Sequence, residues 1–230
     1  MHMNKTRIND IRETIALAKA HEANTHDLAN MLRNNISRLH ATIEFPHEDA
    51  VSILKDFIIR YIEQVPEFIE IFSVLTKDAG IYDYVSTFLA IAQDYFLKPP
   101  DAVSRQVGLA SLMDQAYLSH RLIEEINDRF IGRCGIPLAP MDMTRSNLIM
   151  HHLISEPFAN ELDLAVQYSL ELLMAKEEQV FNSPDFLRYA EQRKARGWSE
   201  ELSRWPCLAS DLAIQLNFGR QNTETPSNLH

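Results

Sequence analysis

Glycine is scarce, with six in 230 residues. Sheet proteins spend glycine on tight hairpin turns, so this scarcity argues against a β fold. Cysteine is scarcer still. Cys134 and Cys207 lie far apart and have no paired-cysteine spacing, which excludes a disulfide scaffold and points to a reducing compartment. Basic residues are in deficit: 22 Lys and Arg against 32 Asp and Glu leave a net charge of −10. Sequence-independent nucleic-acid binding and adhesion to an anionic membrane both need clustered cations, so neither is expected. Long apolar runs are missing too. The most apolar stretch, 51–62, is cut by Ser52, Lys55, Asp56 and Arg60, short of the roughly 18 apolar residues of a membrane span. Residues 1–8 hold no apolar run of signal-peptide length. By elimination, the expected location is the cytoplasm. No Gly-rich phosphate loop, dinucleotide fingerprint or G-x-S-x-G elbow occurs.

What is present is apolar periodicity at three- and four-residue spacing. Apolar residues make up 46% of the chain and charged residues 23%, the balance of a globular protein. The pattern predicts an all-α fold: a single-domain multi-helix bundle of about eight to ten helices around one long central helix. The domain is expected to span 1–216, with a polar, disordered tail over 217–230. A first helix is predicted over 5–23, with Ile8, Ile11, Ile15 and Leu17 as its apolar edge. Asn24 or Thr25 is the expected cap of a second helix, 26–42. A third begins near His47. Pro66 either opens a short fourth helix or marks a kink in one long helix. A further helix is predicted over 81–97, closed by Lys98, Pro99 and Pro100.

The central helix is predicted over about 101–131. At 100° per residue, Leu109, Leu112, Met113, Ala116, Ile123, Phe130 and Ile131 share one face. Asp114, Arg121, Glu125 and Arg129 fall opposite, towards water. Gly132 is the expected C-cap, and the loop 132–142 follows, rich in Gly and Pro. Asp142 or Thr144 is expected to cap a short helix, and a longer one starts at Pro157. Ser183-Pro184-Asp185 is a helix start with cap, proline and first-turn acid in order. A last helix is predicted over 206–216.

Polar residues interrupt the apolar face of the central helix. His120 and Asn127 lie near its centre line, and Tyr117 and Glu124 on its flank. His120 and Glu124 are spaced i, i+4, where side chains meet. In one reading His120 is a core histidine bonded to Glu124 and to a group opposite, and Asn127 fixes helix register. In the other, His120 and Glu124 form one wall of a metal or acid–base site inside the bundle. His152 and Glu156 repeat the spacing on a different helix, although His151 and His152 lie off the apolar face.

Two functions follow as expectations. The first is a cytosolic protein-interaction or self-association module, binding a protein partner or a second copy through Trp198 and Trp205, with Phe186 and Tyr189 nearby. The alternative is a helical-bundle metalloenzyme or small-ligand-binding protein. Its pocket would be lined by His120 and Glu124 with Tyr117 and Asn127, its lid would be the loop 132–142, and its cofactor a divalent metal held by His120 and Glu124. The sequence leaves open whether the protein is an enzyme.

Overall fold

A computed structural model describes residues 2–39, 43–44, 49–100, 103, 108–135, 137–139, 141, 143–173, 177–196 and 207–216. The chain is all-α. Its helices are α1 (His2–Thr25), α2 (Asp27–Leu39), α3 (Ala50–Asp78), α4 (Tyr82–Leu97), α5 (Leu109–Cys134), α6 (Thr144–Ile154), α7 (Glu156–Leu173), α8 (Glu177–Phe181), α9 (Pro184–Arg196) and α10 (Leu208–Asp211). Two short strands, β1 (Ile43–Glu44) and β2 (Gln215–Leu216), pair antiparallel, with Ile43 opposite Leu216. No helix among the described residues is long and apolar enough to cross a membrane. Trp198, Trp205, Asp142 and the tail 217–230 lie outside the described residues.

The axis of the fold is α5, which packs against α1, α3, α4, α6 and α7. Its neighbours reach all round it, so no residue from Leu109 to Asn127 is fully exposed. This corrects the amphipathic expectation. Arg121 and Glu125, expected in water, are roofed by other helices, because polar partners there replace the solvent. On the side facing α4, Ser119 donates to the Ala92 carbonyl at 2.8 Å, and Ala116 beside it lets the helices approach closely.

Several boundaries also differ from expectation. Helix α5 begins at Leu109 rather than near 101, and it runs through Gly132 to Cys134. Gly135 is the C-cap instead: its φ of 66° is the left-handed state glycine tolerates, and its N–H reaches the Ile131 carbonyl. Helix α3 is one continuous helix with Pro66 inside it. Its N-cap is Asp49, whose carboxylate accepts from the Ser52 N–H at 3.2 Å, so Asp49 precedes the helix instead of lying in it. The expected last helix shrinks to α10. After it, Ala213 turns left-handed and the Leu212–Ile214–Leu216 alternation leads into β2. That alternation is a period-two signal, and Ile214 is fully buried. Leu17, assigned to the apolar edge of α1, is exposed, whereas Ala18 is buried. The start at Ser183 holds as expected: Pro184 is the first residue of α9, and the Phe186 N–H points to the Ser183 hydroxyl.

The α1–α2 junction has a cap that local spacing does not reveal. Asn24 and Thr25 turn back, donating to the carbonyls of Ala20 and His21. The cap of α2 is Glu22, whose carboxylate accepts from Leu28 N–H at 2.8 Å and Ala29 N–H at 3.2 Å. His26, at φ 55°, makes the reversal between them. A buried carboxylate on a helix N-terminus satisfies free N–H groups and faces the positive end of the dipole. Glu22→Ala is expected to lower the free energy of unfolding by about 1–2 kcal/mol in urea titrations. Asn24→Ala and Thr25→Ala are expected to stay within about 0.5 kcal/mol of the parent.

Candidate ligand-binding cleft

Where α5, α6 and α7 meet, they enclose a cleft of about 330 Å³. Helix α5 contributes Tyr117, Arg121 and Glu124, spaced so that three successive turns face the same side. Helix α6 supplies Thr144, Asn147, Leu148, His151 and His152, and α7 supplies Asp163. A wider hollow of about 480 Å³ lies between α1 and α3. Both of its cations are paired, Lys19 with Glu63 and Arg12 with Glu70.

Glu124 is the most buried charged group of the cleft, with 6% of its surface exposed. Its Oε1 accepts from the Thr144 hydroxyl at 2.7 Å. Its Oε2 accepts from Asn147 Nδ2 at 2.6 Å and from Arg121 Nη1. Asn147 in turn accepts from the Tyr61 hydroxyl at 2.5 Å, which carries the network into α3. Arg121 is the hub on the other side. Its Nη2 donates to Glu125 at 2.7 Å and its Nε to Asp163 at 3.0 Å, so each of its three nitrogens serves a different carboxylate. Asp163 also accepts from the Tyr117 hydroxyl at 3.0 Å. The His151 ring stands edge-on to Tyr117, and its Nε2 donates to Asn160 Oδ1 at 3.1 Å.

The electrostatics follow from that count. Three carboxylates surround one guanidinium, so the site keeps an excess of negative charge. Burial works against the charge on Arg121, but Glu124 and Asp163 override it, and its pKa is raised. Burial, followed by the negative charge of Asp163, pushes the Tyr117 hydroxyl far up, so it stays a donor. Asp128 on the next turn is raised by burial and then by repulsion from Glu124 and Glu125. His152 is lowered by burial and then by His151, which keeps its ring neutral and able to accept a hydrogen bond.

The chain matches no family model, no curated protein and no solved structure. The residues of the cleft must therefore speak for themselves.

Of the four site residues expected from sequence, Tyr117 and Glu124 meet in this cleft, whereas His120 and Asn127 do not line it. His120 is fully buried and donates from Nε2 to the Tyr61 carbonyl at 2.7 Å. Its ring packs between Tyr61 and Phe68, at centroid distances of 4.3 and 5.4 Å. The carbonyl it uses belongs to α3, one residue before Ile62, whose carbonyl is the one that Pro66 leaves without a helical donor. Its Nδ1 has no hydrogen-bond partner, so the i, i+4 contact with Glu124 does not form. No group of three or more His, Cys, Asp or Glu able to hold a metal occurs among the described residues.

Asn127 holds the loop after α5. Its side-chain amide donates to the Ala139 carbonyl at 3.1 Å and accepts from the Ala139 N–H at 3.0 Å, as a strand neighbour would. Leu138 and Ala139 are buried, and none of the loop's described residues lines the cleft. Phe186, grouped with the interface aromatics, is fully buried against Phe130 and Phe181.

Sequence reasoning passed over Arg121, Thr144, Asn147 and Asp163. Two of them carried a signal. Asp163 interrupts the buried stripe Ala159, Val166, Leu170 of α7, and Asn147 interrupts Met143, Met150 and Ile154 of α6. A polar residue on an apolar stripe asks for a partner.

His120 yields a pH prediction. Burial lowers its pKa from 6.5 to about 4. The unfolded chain therefore binds this proton at a higher pH than the folded one. The stability contributed by neutral His120 is complete above about pH 6.5 and is lost as pH falls towards 4. Asp114, raised by burial to about 6, acts with the opposite sign in part of this window. The clean measurement is thus the difference between the parent and His120→Gln, from urea titrations at several pH values. The parent is expected to lose about 3 kcal/mol relative to the variant between pH 6.5 and 4.

Proposed function

We propose that this protein binds a small, positively charged, hydrogen-bonding molecule in the cleft between α5, α6 and α7. One observation carries the reading: all three nitrogens of Arg121 are turned to the carboxylates of Glu124, Glu125 and Asp163, which outnumber it. An anion would meet a guanidinium whose charge is more than offset by the carboxylates around it. A cation would find excess negative charge, partly removed from water, where attraction is stronger than in bulk solvent. The neutral His152 ring and the Tyr117 oxygen add acceptors. The volume suits a molecule at the small end of the usual ligand range. Both cysteines are free and partly buried, and the reading includes a reducing, cytoplasmic setting.

A thermal-shift panel tests the proposal. Organic cations at about 100 times their Kd stabilise by about 2.7 kcal/mol, a rise of roughly 5–10 °C in Tm for a chain of this size. Carboxylates and phosphates of similar size are expected to leave Tm unchanged. The shift should shrink as salt is added. Equal shifts from cations and anions would count against the reading.

A second reading, self-association, draws on α7. Leu164 and Tyr168 are 65% and 64% exposed, one turn apart on its outer face. Paired apolar side chains left in water are a common mark of an interface. Under this reading the parent runs as a dimer in light scattering and Leu164→Glu runs as a monomer with unchanged helicity. A monomeric parent at high concentration removes it.

A further inference from the structure

Resting on the cation reading, and narrowing it, we infer that the cleft selects an alkylammonium, seated on Asp163 between Tyr117 and His152, over guanidinium and quaternary ammonium ions. The argument is one of acceptor geometry. A guanidinium is recognised by a carboxylate that offers both oxygens in one plane. No carboxylate lining this cleft does so. Glu124 has Oε2 filled by Asn147 and Arg121, and one of the two acceptor positions of Oε1 taken by Thr144. Asp163 has Oδ1 engaged by Arg121 Nε and by the Tyr117 hydroxyl. Its Oδ2 is the least committed oxygen, with only the far side of the Tyr117 contact at 3.1 Å and His151 Nε2 at 3.9 Å.

An ammonium asks for something different: single acceptors set apart in space, one for each N–H. The cleft has these. Asp163 Oδ2 is one. The Tyr117 oxygen, having given its own proton to Asp163, can still accept. His152 lines the cleft and makes no hydrogen bond to any described residue, so its ring nitrogen is open. A quaternary ammonium could use none of these as a hydrogen-bond donor, and it would leave them desolvated and unpaired. Beyond them, Leu148 stands at the rim, 41% exposed, where a short alkyl chain can cover it.

The test is calorimetry on the full chain at pH 7.5 in low salt, with n-butylammonium, n-butylguanidinium and tetramethylammonium. Butylammonium is expected to bind at least tenfold more tightly than either of the others, and more tightly than methylammonium. Asp163→Asn is expected to weaken butylammonium about tenfold or more, the loss of one charged hydrogen bond. Because Asp163 also holds Arg121, circular dichroism must first show that this variant folds. His152→Phe leaves the Arg121 network alone and is expected to weaken binding by a factor of about three to ten. Equal affinity for butylguanidinium or tetramethylammonium overturns the inference while leaving the cation reading intact. So does unchanged affinity in folded Asp163→Asn or, if that variant fails to fold, in His152→Phe. Failure of every cation to bind overturns both.

Discussion

A carboxylate that is almost out of water sets the terms for this structure. Glu124 needs donors, and it takes them from its own helix through Arg121 and from α6 through Thr144 and Asn147. Each donor brings a further requirement. Arg121 draws in Glu125 and Asp163, and Asp163 holds Tyr117. Asn147 takes the hydroxyl of Tyr61. Three helices are thereby fixed around α5 by directional bonds, in a region where apolar packing alone would allow sliding. Removing one member of such a set leaves the others buried and unpaired, which costs far more than one hydrogen bond.

Tyr61 joins this polar system to the core. Its hydroxyl serves Asn147, its carbonyl serves His120, and its ring packs on both Phe57 and His120. Its pKa is raised well above the ordinary value, by burial first and by the charge of nearby groups after that. A phenol so placed keeps its proton and donates it to Asn147 Oδ1, which leaves the Asn147 Nδ2 to donate to Glu124. His120 is held on α3 by the carbonyl of the same residue, Tyr61. The histidine and the cleft are neighbours in structure but belong to different systems: one is core, the other faces solvent.

The edges of the cleft are set by two devices that use short polar contacts in place of bulk. Asn127 substitutes for a strand partner and draws Ala139 back onto α5, and none of the loop's described residues lines the cleft. Ser155 joins α6 to α7 at φ 103° and ψ 134°, a backbone state unfavourable for a residue with a side chain. Such a junction costs of order 1–3 kcal/mol and persists where the flanking elements over-determine it. Here they do. Asn147 on one side and Asp163 on the other are bonded to residues of α5, and both histidines of the cleft sit in the last turn of α6.

Much of this was legible in the chain. Scarce glycine and three- and four-residue apolar spacing dictate helices, and the Ser183-Pro184-Asp185 start is purely local chemistry. The central helix and the two site residues on it that reach the cleft, Tyr117 and Glu124, also follow from periodicity, because a helix places i, i+3, i+4 and i+7 on one side whatever surrounds it. What periodicity cannot contain is the identity of the neighbour. Whether Arg121 adds a third carboxylate to the two of its own helix depends on α7 arriving with Asp163, 42 residues later in the chain. Whether His120 finds Glu124 or the Tyr61 carbonyl depends on which neighbouring helix lies over it. The capping of α2 by Glu22 and the pairing of β1 with β2 are decided the same way. The sequence by itself determined the helices and their polar interruptions. The tertiary structure alone decided which interruptions came to line the cleft, because a hydrogen bond is directional and short, and only packing brings its two ends within reach.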